Sequence, residues 1–191
     1  MSDKWNQRYS QATDLPDVNP WLVKYSHMLP QQGTALDLAC GLGQNAFYLA
    51  KQGLSVEGWD NSSIGIEKLK QYADDQALKV AGRCIDATEP WPESQFDVVY
   101  VSFFLDREVC PQIVNSLKPG GLLIYQTFNQ VPLESKPSNP NFLLQEGELL
   151  SLFSELTPLV YMDEGEHYEL DNPNSMPGKA LLIAKKLPES A

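Results

Sequence analysis

Leu36-Asp37-Leu38-Ala39-Cys40-Gly41-Leu42-Gly43 is the stretch on which the reading of this chain turns. It reads as a short buried strand, Thr34 to Ala39, running straight into a Gly-x-Gly turn, with a helical run from Gln44 to Gln52 behind it. Strand, glycine turn and helix together make a ligand cradle. The glycines let the backbone approach a bound molecule, and the helix N-terminus offers unpaired N–H groups. The alternative for the glycines alone is a tight turn with no ligand. Asp37, inside the strand, bears on the chemistry: a carboxylate just ahead of the first glycine sits badly beside a pyrophosphate and well beside an ammonium group.

S-adenosylmethionine has an α-ammonium, an α-carboxylate, a sulfonium and no phosphate, so this cradle suits it better than a dinucleotide. The counter-reading is that Gly41-Leu42-Gly43-Gln44-Asn45-Ala46 also fits G-x-G-x-x-G/A, the dinucleotide fingerprint. An acid near the end of the next strand belongs to that pattern too. The residues beyond the second to fifth strands separate the two readings.

The chain has 191 residues, one ordinary domain by length, and enough to bury a core without disulfides or metals. Its formal charge is −11, and Lys185-Lys186 is the densest basic pair. An acidic surface repels phosphate backbones and anionic lipid, so neither nucleic acid nor membrane is expected as a partner. Cys40, Cys84 and Cys110 are odd in number, widely spaced and in apolar company, and read as small buried hydrophobes in a reducing cytosol. The polar start Met1-Ser2-Asp3-Lys4, with no apolar run of membrane length, gives the expectation of a cytoplasmic protein without signal peptide or span. His27 and His167 are the only histidines, too few to support a histidine metal site or a charge-relay triad.

From Thr34 to Phe128 strand-like runs alternate with helical-period segments, the pattern of a parallel α/β sheet. Strands are expected at Thr34–Ala39, Ser55–Trp59, Lys79–Ile85, Phe96–Ser102 and Leu122–Phe128. Helices are expected at Asn45–Gln52, Ser63–Gln76 and Arg107–Leu117, with Pro111 near the first turn of the last. Lys118-Pro119-Gly120-Gly121 reads as a turn. A long loop spans Asn129 to Asn141, a helix Glu146 to Leu156, and two final strands Pro158–Met162 and Ala180–Lys185.

The ordered set of the Gly-x-Gly loop, Asp60 after the second strand, Asp86-Ala87 after the third, Phe96-Asp97 opening the fourth and Pro119-Gly120-Gly121 before the fifth resembles the class I S-adenosylmethionine-dependent methyltransferases. Trp5-Asn6-Gln7-Arg8-Tyr9, the Gly41-to-Asn45 loop and Val56-Glu57-Gly58-Trp59-Asp60 are most similar to the small tellurite-resistance and thiopurine-type methyltransferases. The resemblance implies a Rossmann-like, seven-stranded, mostly parallel α/β sheet with helices on both faces and a C-terminal antiparallel hairpin. It implies one domain over 1–191: an N-terminal lid or helical segment at 1–30, a cofactor-binding core at 34–128, and a substrate loop with the terminal hairpin at 129–191.

Site roles come from the same resemblance. The backbone at Gly41 and Gly43 faces the methionine part of the cofactor, Asp37 holds or orients its amino group, and Ala39 and Asn45 count among the cofactor-binding residues. Asp60, with Asn61 beside it, accepts from the ribose hydroxyls; the alternative for Asp60 is an N-cap for the next helix. Asp86 accepts from the adenine amino group, with Ala87 leaving room for the ring, unless Asp86 is an ordinary loop acid. Ser102 and Phe103 end the fourth strand at the ligand edge of the sheet. Trp5, Arg8 and Tyr9 share one face if helical, as a lid over the sulfonium or as a helix simply docked on the sheet. Asp106-Arg107 resembles an Asp-Arg pair near cofactor and acceptor, or opens a solvated helix. Asp97 reads as a backbone-fixing residue outside the site.

The expected reaction moves the methyl group of S-adenosylmethionine to a small-molecule acceptor such as a thiol or a selenium or tellurium oxyanion, soft nucleophiles that need little base catalysis. No catalytic residue is assigned; His27, Asp106 and His167 are candidate bases. A monomer or weak dimer is expected. The rival readings are a dinucleotide-dependent oxidoreductase and a non-catalytic S-adenosylmethionine-binding module.

Overall fold

The computed structural model describes residues 2–132, 137–169 and 171–188. Its strands are β1 (Gly33–Leu38), β2 (Leu54–Asp60), β3 (Val80–Cys84), β4 (Phe96–Ser102), β5 (Leu117–Phe128), β6 (Thr157–Asp163) and β7 (Lys179–Lys185). They form a single sheet in the order β3-β2-β1-β4-β5-β7-β6. The first five pair in parallel, and β7 runs antiparallel between β5 and β6. This is the expected mostly parallel sheet with a reversed terminal hairpin. The chain switches direction across the sheet between β1 and β4, and open α/β sheets bind ligands in the crevice outside the strand ends at that point.

The helices are α1 (Ser2–Ser10), α2 (Pro20–Lys24), α3 (Gln44–Lys51), α4 (Ser63–Asp75), α5 (Cys110–Ser116) and α6 (Glu148–Leu152). Alternation along the strands sends successive side chains to opposite faces. On one face Leu36, Leu38, Val99, Val101, Leu123, Tyr125 and Leu182 pack with Ile113 and Val114 of α5 and with Leu149 of α6. On the other, Ala35, Val56, Val98, Tyr100, Ile124, Leu181 and Ile183 pack under Trp21 and Leu22 of α2 and Ala46 and Leu49 of α3. Phe47, Ile66, Leu69, Ala73 and Cys40 join α3 to α4 beneath the glycine loop.

Three elements differ from expectation. Lys118 to Gly121 is not a turn between elements but part of β5, which begins at Leu117. Phe96 pairs with Leu117 and Val98 with Leu122, so the intervening residues form a bulge. Pro119 has no N–H to give a ladder, and Gly120 takes φ +83° there. The bulge is stitched to the end of β7: Gly120 N donates to Lys186 O at 2.7 Å, and Lys186 N to Gly121 O at 2.9 Å. Helix α5 starts at Cys110 instead of Arg107 because the Asp106 carboxylate accepts from Glu108 N at 3.0 Å, turning the chain before it coils. Helix α6 is confined to Glu148–Leu152, entered through Gly147 at φ +70°. The expected 129–141 loop carries a bridge from Asn129 to Leu144 and a 3-10 turn at Pro140–Phe142, and its residues 133–136 lie outside the described residues.

Asp97 anchors the opposite edge of the sheet, as expected. Its Oδ2 accepts from Thr34 N (2.8 Å), Thr34 Oγ1 (3.0 Å) and Lys118 Nζ (2.7 Å). Among the described residues no helix is long and apolar enough to cross a membrane. Among them, too, no cluster of His, Cys, Asp and Glu has the makings of a metal site.

Candidate cofactor and acceptor site

The glycine loop folds back on the ends of β1 and β2. Cys40 N donates to Trp59 O at 3.1 Å, Gly43 N to Cys40 O at 2.9 Å, and Phe47 N to Gly43 O at 2.8 Å, which starts α3. Gly41 and Gly43 have φ of +58° and +90°, where glycine is strongly favoured. Space demands glycine as well. A Cβ on Gly43 would lie 2.7 Å from Leu69 Cδ1, and one on Gly41 would lie 2.8 Å from Tyr9 Oη. Tyr9 therefore rests directly over the first glycine.

Two carboxylates flank this loop, both buried. Asp60 closes β2; its Oδ2 accepts from Gly41 N at 2.9 Å and its Oδ1 from Ser62 N at 2.8 Å. The N-cap of α4 is Ser62, whose Oγ accepts from Gly65 N at 3.1 Å, so Asp60 is not the cap. Asp37 is 1% exposed, and its Oδ2 has no hydrogen-bond partner among the described residues. Burial raises the pKa of both acids, most strongly that of Asp37, which also feels Asp60. Burial and then the charge of Asp60 push the Tyr9 phenol up as well.

This arrangement disfavours a pyrophosphate. The N–H groups of Gly41 and Gly43 are already committed to Asp60 and Cys40, and two acids flank the loop where a dianion would have to lie. An ammonium, by contrast, would meet an empty carboxylate oxygen with no counter-charge. The donor set fits S-adenosylmethionine.

Among the described residues, three buried side-chain oxygens lack a partner: Asp37 Oδ2, Gln44 Oε1 and Tyr100 Oη. All three belong to one neighbourhood. Asp37 and Tyr100 are Cα partners in the β1–β4 register, and Gln44 is the first residue of α3. The Tyr100 hydroxyl lies beside Ser102, Asp37 and Asn19. Natural proteins leave few buried polar atoms unpaired, so three in one neighbourhood single it out.

Next to the cradle, over β4, β5 and β7, lies a cavity of about 300 Å³. A buried amide network builds its floor. Asn19 N donates to Asn45 Oδ1 at 3.0 Å, Asn19 Nδ2 donates to Gln126 Oε1, and Gln126 Nε2 donates to Met176 Sδ at 2.8 Å. Asn45 Nδ2 lies 3.5 Å from Ser102 Oγ. The N-terminal segment, α3, β4, β5 and the approach to β7 are thus tied together at the cavity.

The structure brings together Tyr9, Asp37, Ala39, Gly41, Gly43, Asn45, Asp60, Asn61 and Ser102 around the cradle. Ala39 sits at the end of β1 with φ +55°. Asn61 directly follows Asp60 at the end of β2. Asp86 and Ala87 come after β3 at the same sheet edge; Asp86 Oδ1 accepts from Thr88 N (3.0 Å) and Oγ1 (2.9 Å), and Ala87 O from Trp91 Nε1 (2.9 Å). Phe103, at φ +57° and 48% exposed, stacks near Phe128 and lines the cavity.

Helix α1 is docked on α4. Asn6 Oδ1 accepts from Ser62 Oγ at 2.6 Å and from Ile64 N at 3.3 Å, while Lys68 Nζ donates to the carbonyls of Tyr9 and Ala12, both at 2.7 Å. Trp5 stacks on Tyr9 at 5.6 Å between centroids, and Arg8, exposed, lies over the outer Trp5 ring at 5.4 Å.

Arg107 is occupied elsewhere. Its Nε lies 2.6 Å from Glu148 Oε1, Nη2 donates to Glu148 Oε2 at 3.0 Å, and the guanidinium also binds the carbonyls of Asn141 (2.7 Å) and Leu143 (3.2 Å). With every nitrogen engaged, it braces the loop ahead of α6. None of His27, Asp106 and His167 lines the cavity.

Sequence reasoning missed Tyr100, Gln44, Asn19, Gln126 and Lys179. Gln126 alone left a signal, a polar side chain inside the apolar run Leu122 to Phe128.

The sequence model of the family described as "Tellurite resistance protein TehB" matches residues 6–175. The chain is 28% identical over 164 residues to "Probable S-adenosyl-L-methionine-dependent methyltransferase TehB" of Haemophilus influenzae, covering 79% of this chain and 56% of that protein. It is 33% identical over 139 residues to "Ubiquinone biosynthesis O-methyltransferase" of Coxiella burnetii, covering 67% of this chain and 58% of that protein. The chain thus spans a little over half the length of these curated relatives. The crystal structure of TehB from Haemophilus influenzae superimposes with a TM-score of 0.72 at 20% identity, covering 97% of this chain and 66% of that one, a likeness of fold. With the family model matched over most of its length, the chain belongs to the TehB family.

Proposed function

We propose that this chain binds S-adenosylmethionine in the cradle between β1, β2 and α3 and transfers its methyl group to a small-molecule acceptor. The single observation that carries the reading is the buried, unpartnered Asp37 Oδ2 beside a glycine loop whose Gly41 and Gly43 N–H groups are already used. Bound there, the cofactor supplies an electrophilic methyl group on a sulfonium. Asp37 holds the ammonium, Asp60 offers its remaining lone pairs to the ribose hydroxyls, and Asp86, through the oxygen not turned to Thr88, accepts from the adenine amino group. Tyr9 covers Gly41 and keeps water off the methionine end. The protein's work is positioning and desolvation; a soft nucleophile, a thiol or a selenium or tellurium oxyanion, needs no dedicated base.

Calorimetry tests this reading. S-adenosylhomocysteine binds with one site per chain and NADH does not; saturable binding of NADH with none of S-adenosylhomocysteine would restore the dinucleotide reading. Turnover with a thiol acceptor then separates an enzyme from a cofactor-binding module.

A further inference from the structure

The cavity beside the cradle is bounded at one end by Gln44 and Asn45, immediately after the glycine loop, and at the other by Lys179. Lys179 opens β7 and is partly buried. Among the described residues its Nζ reaches only the Pro177 carbonyl, at 3.5 Å, and no carboxylate lies within 4.0 Å of it. Asp17 lines the same cavity but is exposed and outside ion-pair distance. Burial lowers the pKa of Lys179, the cost of a desolvated cation that a bound anion would offset. Apart from Lys179 and Asp17, the lining carries no charge.

We propose that this cavity is the acceptor site and takes a small organic anion, its carboxylate on Lys179 and its nucleophilic atom at the Gln44–Asn45 end. The inference rests on the methyl-transfer reading of the cradle. Register gives the span. Asn45 meets Ser102 on β4, Ser102 pairs with Gln126 on β5, and β5 pairs with β7 through Phe128 and Lys179. Two strand spacings and the two-residue offset from Gln126 to Phe128 separate the backbone at the two ends by roughly 12 Å. A volume of about 300 Å³ is the size of a small metabolite's pocket.

The test uses the full chain loaded with S-adenosylhomocysteine and four probes: ω-mercapto-octanoate, its carboxamide, mercaptoacetate and selenite. Calorimetry should show saturable binding of mercapto-octanoate, with the other three weaker by about tenfold or more. Lys179→Met should erase the preference for carboxylate over carboxamide, and Lys179→Arg should keep it. Retained S-adenosylhomocysteine binding in both variants reports an intact fold. Equal binding of carboxylate and carboxamide, no saturable binding of mercapto-octanoate, or selenite binding as tightly would each overturn the proposal. If S-adenosylhomocysteine itself fails to bind, the methyl-transfer reading falls; if it binds and the selectivity is missing, only the acceptor proposal falls.

Discussion

Asp37 and Tyr100 stand side by side on adjacent parallel strands, and each presents a buried oxygen that nothing in the described chain satisfies. Packing alone would not keep such a pair: both oxygens were removed from water on folding without compensation, which costs stability. The pair makes sense as half of a binding site whose other half arrives with the ligand. Asp37→Asn should therefore trade function for stability. Cofactor affinity should fall about tenfold to a hundredfold, the worth of a charge-assisted hydrogen bond, while the ligand-free protein melts at a higher temperature. Tyr100→Phe should also raise the melting temperature. A lowered melting temperature in both variants would mean that the two oxygens have partners in the free protein.

The same acids set a pH dependence. Asp37 and Asp60 have folded-state pKa values raised above the ordinary aspartate range, chiefly by burial. Above that range the unfolded chain has released these protons while the folded chain still holds them, so stability falls as pH rises. The loss continues until the raised folded-state values are passed. Melting of the ligand-free protein should show this decline from mildly acidic pH upward, and Asp37→Asn should flatten it. Added S-adenosylhomocysteine should flatten it as well, because its ammonium favours the ionised carboxylate. A ligand-free protein that gains stability over the same window would contradict the assignment.

Asp60 does two jobs. Its oxygens hold the N–H groups of Gly41 and Ser62, so Asp60→Ala leaves two buried donors unpaired and frees the glycine loop. Stability should drop by roughly 1–3 kcal/mol, and cofactor affinity about tenfold to a hundredfold. Asp60→Asn, which keeps one acceptor oxygen, should lose less of both. Denaturant unfolding and calorimetry on the same samples check this; an alanine variant as stable as the parent would remove Asp60 from the loop's support.

Most of the frame was legible because it depends on local pattern. The Thr34–Ala39 strand, the glycine loop and the α3 start are all dictated by residues near one another, and the structure places them within a residue or two. The cradle acids were legible for the same reason. Tyr100 was not. Its role comes from standing opposite Asp37 across a strand pair whose residues lie far apart in sequence, and nothing in Val98-Val99-Tyr100-Val101 announces that register. Lys179 is hidden in the same way, brought to the cavity only because β7 is reversed. Arg107 shows the opposite failure: the local pair Asp106-Arg107 suggested a ligand, while Glu148, 41 positions away, takes the guanidinium. The Lys118–Gly121 segment looked like a turn because Pro and Gly favour turns; only its pairing with Lys186 reveals a bulged strand.

The N-terminal helix is held by a small number of polar contacts, chief among them Asn6 with Ser62. Asn6→Ala removes the acceptor for a hydroxyl that also caps α4, and should cost about 1 kcal/mol of stability. Because α1 carries Tyr9 over Gly41, the same variant should also weaken S-adenosylhomocysteine binding several-fold, about 1 kcal/mol. Thermal melting and titration together decide. Unchanged affinity with reduced stability would make α1 a docked helix with no part in covering the cofactor.

Everything proposed for the cradle depends on the Asp37 carboxylate being the receptor for a cofactor ammonium. The most direct measurement compares, by calorimetry on the parent chain and on Asp37→Asn, S-adenosylhomocysteine with its analogue lacking the α-amino group. The parent should prefer S-adenosylhomocysteine by about tenfold or more, and Asp37→Asn should bind the two alike. A parent chain that binds both equally, or an Asp37→Asn variant that keeps the full preference, would contradict the account.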